Sequence, residues 1–260
     1  MAVTNFIQTI WSKKIQDDLE LKCKLVDNCL REYEGDCQYA QSVKILGVGE
    51  PTIGAYDGSQ DITIEDMSDK GQILTIDQAN YFAFYVDDVD KAQSVPGLPE
   101  KYQEKAVHGL AVARDTYVAT LIAAATNKTT VTMTEEGFKK GIDDAIVALR
   151  ERNFDEEGVI EITPAGYNLF KNHLITLSTN NPEYIKKGIV GVYDGFDVIM
   201  SNNLKGAGCV RGKKAIAFAG QINKVEALRA EKRFKDIIRG LDTFGAKIID
   251  ENRIQALATA

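Results

Sequence analysis

Apolar residues recur along this chain with two periods, and the switch between them marks out its elements. Between Pro99 and Thr126, Val107, Leu110, Ala111, Tyr117, Val118, Leu121, Ile122 and Ala125 make one stripe at the three-to-four-residue spacing of an α-helix. Pro99 and Glu100 suit its start. At about 1.5 Å per residue this helix is roughly 40 Å long, longer than a typical globular helix. Before it, the run from Gln72 to Gln93 alternates: Ile73, Thr75 and Asp77 take one face, Leu74, Ile76 and Gln78 the other, and Tyr81, Phe82, Phe84 and Tyr85 follow. Paired only with the limb that precedes it, such a strand has no partner in its own chain large enough to bury it. The pattern therefore predicts a ribbon that leans on neighbouring subunits.

Other segments fill in an α+β order without internal repeats. Phe6, Ile7, Ile10, Trp11, Ile15 and Leu19 predict a partly helical, amphipathic arm within residues 5–30, and residues 42–48 alternate as a strand. The stretch from Gly47 to Gly71, rich in Gly, Asp, Ser and Thr, reads as an extended hairpin with its tip between Tyr56 and Lys70. After a turn at Asn127–Thr129, a helix opens at Thr134 and runs through Ile142, Ile146 and Leu149 to about Asn153. Then come a strand at Val159–Ile162, a helix at Pro164–Leu177, a loop from Ser178 to Gly191 and a strand at Phe196–Met200. Three more strands are expected at Ala215–Ala219, Lys224–Leu228 and Ala246–Ile249.

Composition narrows the function classes. The chain has 260 residues, 44% hydrophobic and 27% charged, enough for one large domain or two small ones. No run of about 18 apolar residues is present, and the N-terminus MAVTNFIQTIWSKK lacks the order of a signal peptide, so a soluble protein made in the cytosol is expected, with no membrane partner. The net charge of -7 argues against a surface given over to nucleic acid. Locally, Lys213, Lys214, Lys224, Arg229, Lys232, Arg233, Lys235 and Arg239 make a basic tail. Without interleaved aromatics to stack bases, contact with acidic patches of a neighbouring copy is favoured over weak nucleic-acid contact.

Chemistry is sparse. Cys23, Cys29, Cys37 and Cys209 fit neither a zinc site nor a disulfide framework and read as free thiols. His108 and His173 have no ligating neighbours at metal spacing. The glycines between Gly47 and Gly54 lack phosphate-loop spacing, and Asp87-Asp88-Val89-Asp90 lacks the glycine and distal glutamate of a calcium loop. No catalytic residue, cofactor site or metal site is expected, and the chain is read as a non-enzyme.

Three ordered blocks, TIDQANYFAFYVDDVDKAQ (75–93), GVYDGFDVIMSNNL (191–204) and AIAFAGQINKVEALRAEKRFKDIIRGLDTFGAKII (215–249), resemble the major capsid proteins of tailed double-stranded DNA bacteriophages with the Hong Kong 97 fold. FIQTIWSKKI (6–15) is similar to the N-terminal arm of those proteins. The resemblance implies an arm over residues 1–41 anchored by Phe6, Ile10 and Trp11, and an extended hairpin, the E-loop, over 42–90 with Tyr56, Asp57 and Lys70 at its contacting tip. Asp87, Asp88 and Asp90 would form its charged hinge. It further implies a peripheral domain over 91–130 holding the spine helix, and an axial domain over 131–210 whose loop with Asn180, Asn181, Pro182 and Tyr184 meets its copies at capsomer centres. Residues 211–260 would return as strands to the peripheral domain.

In function, the resemblance implies a coat protein that self-assembles into hexamers and pentamers around double-stranded DNA, touching it weakly and non-specifically. Its address would be the virion, after assembly in the cytoplasm of a bacterial host. A portal protein is the expected partner, with separate scaffolding or decoration proteins as further ones. An encapsulin-type compartment shell is the alternative within the fold, and a small soluble enzyme the alternative outside it. Some members of the family crosslink a lysine near the E-loop tip to an asparagine; Lys70 is the only lysine near that tip, and no motif supports such a role. Assembled protein boiled in denaturant should therefore run as monomer on a gel, and a covalent ladder would overturn this.

Overall fold

The computed structural model describes residues 23–34, 42–45, 71–87, 98–177, 191–229 and 235–259. Three sheets and three α-helices organise them. The first sheet is a short antiparallel ribbon of β1 (Ser42–Ile45) and β2 (Gln72–Thr75), with Val43 opposite Leu74 and Ile45 opposite Gln72. The second contains β3 (Gln78–Asp87), β9 (Ile216–Arg229) and β10 (Lys235–Ile248), with β10 in the middle. The third has six strands in the order β4 (Lys128–Val131), β11 (Ile254–Thr259), β8 (Gly208–Gly212), β5 (Gly158–Ile162), β7 (Phe196–Met200) and β6 (Val192–Tyr193).

The helices lie where the periodicity places them. α1 (Leu98–Ala124) spans 27 residues, and Val107, Leu110, Ala111, Val118 and Ile122 of its stripe are buried. α2 (Glu135–Arg150) begins where the Thr134 hydroxyl accepts from the Gly137 N–H at 3.2 Å. Glu135 and Glu136 complement the positive end of the helix dipole, and Arg150 the negative end. α3 (Pro164–Leu177) places proline at its first position, where no N–H is needed, and Thr163 Oγ1 accepts from the Gly166 N–H at 3.3 Å.

Two large cores result. One lies under α1 and takes in Val107, Val118, Ile122, Ile216, Phe218 and Phe244. The other fills the space between α2, α3 and the six-stranded sheet with Phe138, Ile142, Ile146, Leu149, Ile160 and Phe170. A small third cluster joins Val43, Ile45 and Leu74 of the ribbon to Ala217 and Ala219 of β9.

Several expectations are corrected. The aromatic strand does have a large partner in its own chain: all ten residues of β3 pair antiparallel with β10, from Gln78 opposite Phe244 to Asp87 opposite Lys235. The returning limb of the ribbon ends at Thr75, and the chain changes partners at Ile76 and Asp77. That partner was hidden because β10 was expected only from Ala246 onward, whereas it begins at Lys235; a register shift between Leu241 and Asp242 breaks its alternation. The strands expected at 215–219 and 224–228 are one strand, β9. The closing strand β11 joins the six-stranded sheet, parallel to β4, so the residues after 210 contribute to two sheets. In the N-terminal segment, residues 23–34 contain no α-helix, and a 3-10 turn spans Val26–Asn28. Residues 1–22 lie outside the described part.

The ribbon crosses the second sheet where Gly245 lies under the end of β2. A Cβ at Gly245 would overlap the Thr75 carbonyl oxygen. Gly245→Ala should lower stability in urea by about 1–3 kcal/mol through this overpacking, and an unchanged midpoint would show that the crossing relaxes freely.

Candidate assembly interface

Charged side chains on the apolar face of α1 organise the centre of the molecule. Arg114 follows Leu110 by four residues and precedes Val118 by four, so it points into the core and not to solvent. Its guanidinium donates Nε–H to Asp242 Oδ2 of β10 at 3.0 Å, with a second bond from Nη2 to Oδ1. It also stands 5.5 Å from the ring centre of Phe218 and 5.8 Å from that of Phe244. This buried pair fastens the spine helix to the middle strand of the second sheet.

Asp115, one residue on, faces the segment Cys23–Leu30. Its Oδ2 accepts the Lys24 N–H at 3.1 Å, and its Oδ1 accepts those of Leu25 at 3.1 Å and Val26 at 3.3 Å. Asn203 Nδ2 adds a weaker donation at 3.4 Å. Burial pushes the Asp115 carboxyl above the usual carboxylate range, against the pull of these donors.

From the opposite side, Arg211 of β8 reaches the same segment. Arg211 and Glu161 are both 0% exposed, and Arg211 donates to Glu161 through Nη2 at 2.6 Å and Nε at 3.0 Å. Its Nη1 also donates to the Asn28 carbonyl at 2.7 Å, and its Nη2 to the Leu25 carbonyl at 3.0 Å. Burial opposes the guanidinium charge, but the attraction and hydrogen bonds of Glu161, together with the neighbouring thiols, hold its pKa above the ordinary range. The described cysteines surround these centres as free, buried thiols. Burial pushes Cys23 up to about 12 and Cys29 up to about 11, and raises Cys209 well above its usual value. These thiols are un-ionised at neutral pH and unsuited to nucleophilic work.

The surface of the second sheet is different in character. Phe82 and Phe84 of β3 turn inward: Phe82 lies over Gly240, and Phe84 stacks on Tyr102 of α1 at 5.8 Å. Tyr81 and Tyr85 turn outward and are 79% and 68% exposed. Tyr81 sits opposite Leu241, and Tyr85 opposite Ile237, which in turn faces Leu228. Leu241 and Leu228 are also exposed, so two tyrosines and two leucines share one solvent face. Among the described residues β3 pairs on one side only, so its outer edge carries unpaired backbone groups.

The third sheet presents its own anchored hairpin. Tyr193 of β6 donates its hydroxyl to Asp143 Oδ1 at 2.7 Å, and Lys139 pairs with Asp143 Oδ2 at 2.6 Å. Arg150 bridges to Asp194 at 2.9 Å in the turn between β6 and β7. These contacts fix, against α2, the hairpin that follows residues 178–190.

The expected contact residues divide unevenly. Asp87 is the last residue of β3, in register with Lys235 of β10. Phe6, Ile10, Trp11, Tyr56, Asp57, Lys70, Asp88, Asp90, Asn180, Asn181, Pro182 and Tyr184 lie outside the described residues. Three of the eight basic residues of the tail are engaged within the chain: Lys213 pairs with Glu157 and Asp197, Arg229 with Asp236, and Arg239 with Glu226. The tail therefore offers less free positive charge than its composition suggests. Among the described residues no group of three or more His, Cys, Asp and Glu side chains is placed to hold a metal ion. Arg114, Asp115, Glu161 and Arg211 were not singled out from the sequence. Their signal was there, since all four are charges set among apolar positions of a helix stripe or a buried strand.

Comparison with known proteins places this architecture. No family model and no curated protein matches the chain. Solved structures do. A structure from Mycobacterium phage Che8 is 24% identical and superposes with a TM-score of 0.78 over 90% of each chain. The capsid structure of cyanophage P-SCSP1u is 16% identical, with a TM-score of 0.73 over 89% of this chain and 86% of that one. A virus-like particle from Pyrococcus furiosus is 14% identical, with a TM-score of 0.61 over 96% and 98%. The chain has the Hong Kong 97 phage major capsid fold.

The Arg211 hub can be tested on the isolated subunit. Arg211→Met should cost about 3–5 kcal/mol in urea unfolding, because Glu161 is left buried without its cation. Adding Glu161→Leu should restore part of that loss only, since the Leu25 and Asn28 carbonyls still lack their donor. Full restoration would show that the bonds to the N-terminal segment carry no weight.

Proposed function

We propose that this chain is the coat subunit of a tailed-phage head, self-associating into hexamers and pentamers that close a shell around double-stranded DNA. The observation that carries this reading is the likeness to phage capsid structures across 89–90% of the chain. An outward tyrosine and leucine face on the second sheet and the outer edge of β3, unpaired among the described residues, support it, since both are surfaces that a neighbouring copy would cover. The work is geometric and not catalytic. Many individually modest contacts, repeated around closed rings, give a strong lattice. A portal protein, with separate scaffolding or decoration proteins, completes the particle in this reading, and the virion is its address.

A compartment shell of the encapsulin type is the second reading, favoured by the likeness to the Pyrococcus furiosus virus-like particle over nearly the full length of both chains. The two differ in contents. Expressed protein examined by size-exclusion chromatography and negative-stain microscopy should form shells, tubes or rings of subunits, and a species that stays monomeric as concentration rises would overturn the shell reading. Particles recovered from the natural source should hold nuclease-protected double-stranded DNA. A co-purifying protein cargo without DNA would favour the compartment instead.

A further inference from the structure

The segment Cys23–Leu30 is held unlike any other described part of the molecule. It has no regular strand or α-helix of its own beyond one 3-10 turn. Its backbone is satisfied mainly by two charged side chains that approach from different elements. Asp115 of α1 accepts three consecutive N–H groups, and Arg211 of β8 donates to two carbonyls. The segment closes on the second sheet at one place, where the Leu30 N–H donates to the Ile216 carbonyl at 2.8 Å and the Phe218 N–H donates to the Leu30 carbonyl at 2.9 Å. Eight residues thus touch the spine helix, the six-stranded sheet and the three-stranded sheet in turn. Leu25 and Val26 sink into the core beneath α1, with Cys23 and Cys29 beside them.

We propose that residues 23–30 are a latch that opens and closes as a unit on an otherwise folded body, with Asp115 as its positioning residue. The reasoning concerns what each element loses when the segment lifts. The β8 amides stay paired, since β8 keeps β5 on one side and β11 on the other. Arg211 keeps its bond to Glu161. β9 keeps β10 along 13 register pairs. Only the bonds to the segment and the contacts of its four buried side chains are given up, so opening exposes far less surface than unfolding. One carboxylate holds three amides at once, which makes the hold all-or-none at that point. The latch is a property of the single subunit and does not rest on the shell reading.

The test uses the full-length, unassembled chain. In Asp115→Ala, iodoacetamide should alkylate Cys23 and Cys29 about tenfold faster or more, read at each cysteine by mass spectrometry, while hydrogen exchange at the β8 amides Val210 and Arg211 stays as slow as in the wild type. Loss of β8 protection in step with the thiols would overturn the latch, as would unchanged thiol reactivity. Should the variant fail to fold, native-state exchange of the wild-type chain in low urea decides. The Lys24, Leu25 and Val26 amides are expected to open more often, and with a weaker urea dependence, than those of β8. A shared isotherm would overturn the proposal. None of these readouts requires a shell, so a failed latch leaves the coat-subunit reading intact, and a protein that forms no shell leaves the latch to be judged by itself.

Discussion

Arg211 carries a full positive charge where no water reaches it, and the rest of the fold is arranged so that this is tolerable. A buried guanidinium is costly unless its donors are met. Here Glu161 neutralises it from the neighbouring strand, and two carbonyls of the N-terminal segment take what remains. The pairing demands that β5 and β8 be neighbours in their observed register, with Glu161 opposite Cys209 and Arg211 two pairs along, opposite Val159. It also demands that residues 25–28 lie across them. Hydrophobic contact alone would leave that segment many equivalent resting places on the apolar surface under α1. The directional bonds leave it one.

The same logic recurs along the spine helix. α1 is apolar enough on one face to bury itself on the second sheet, but an apolar stripe tolerates sliding and rotation. Arg114 and Asp115 remove that freedom, because each must meet a specific partner on opposite flanks of the helix, Asp242 on one and the Lys24–Val26 amides on the other. Rigidity in the body fits the proposed coat-subunit role, in which an outer surface is shared between copies. The tyrosines of β3 stand outward from a strand locked to β10 by its full length, so a neighbouring copy would meet a preformed face.

Much of the architecture was readable from local pattern. The helices at 98–124, 135–150 and 164–177 follow from apolar spacing and from Thr134 and Pro164 as start signals, and Phe196–Met200 reads directly as a strand. The reading failed where the partner mattered more than the strand. Nothing in QILTIDQANYFAFYVDD shows that pairing changes at Ile76, because the alternation continues through the break. β10 was recognised only at its last few residues, since the shift at Leu241 throws its inward set out of phase. The site fared worse. Charges such as Arg229 and Arg239 look available in the sequence and are spent on Asp236 and Glu226 across a strand pair.

By itself, the sequence determined the elements, the long spine and the resemblance of its ordered blocks to a capsid fold, because periodicity and turn chemistry are properties of neighbouring residues. Tertiary structure alone decided which strands share a sheet, which charges are buried and what the segment at 23–30 does. Those are contacts between residues far apart along the chain, as between Leu25 and Arg211, 186 positions apart. No local pattern records them, since a buried arginine and an exposed one are the same letter until the chain closes around it.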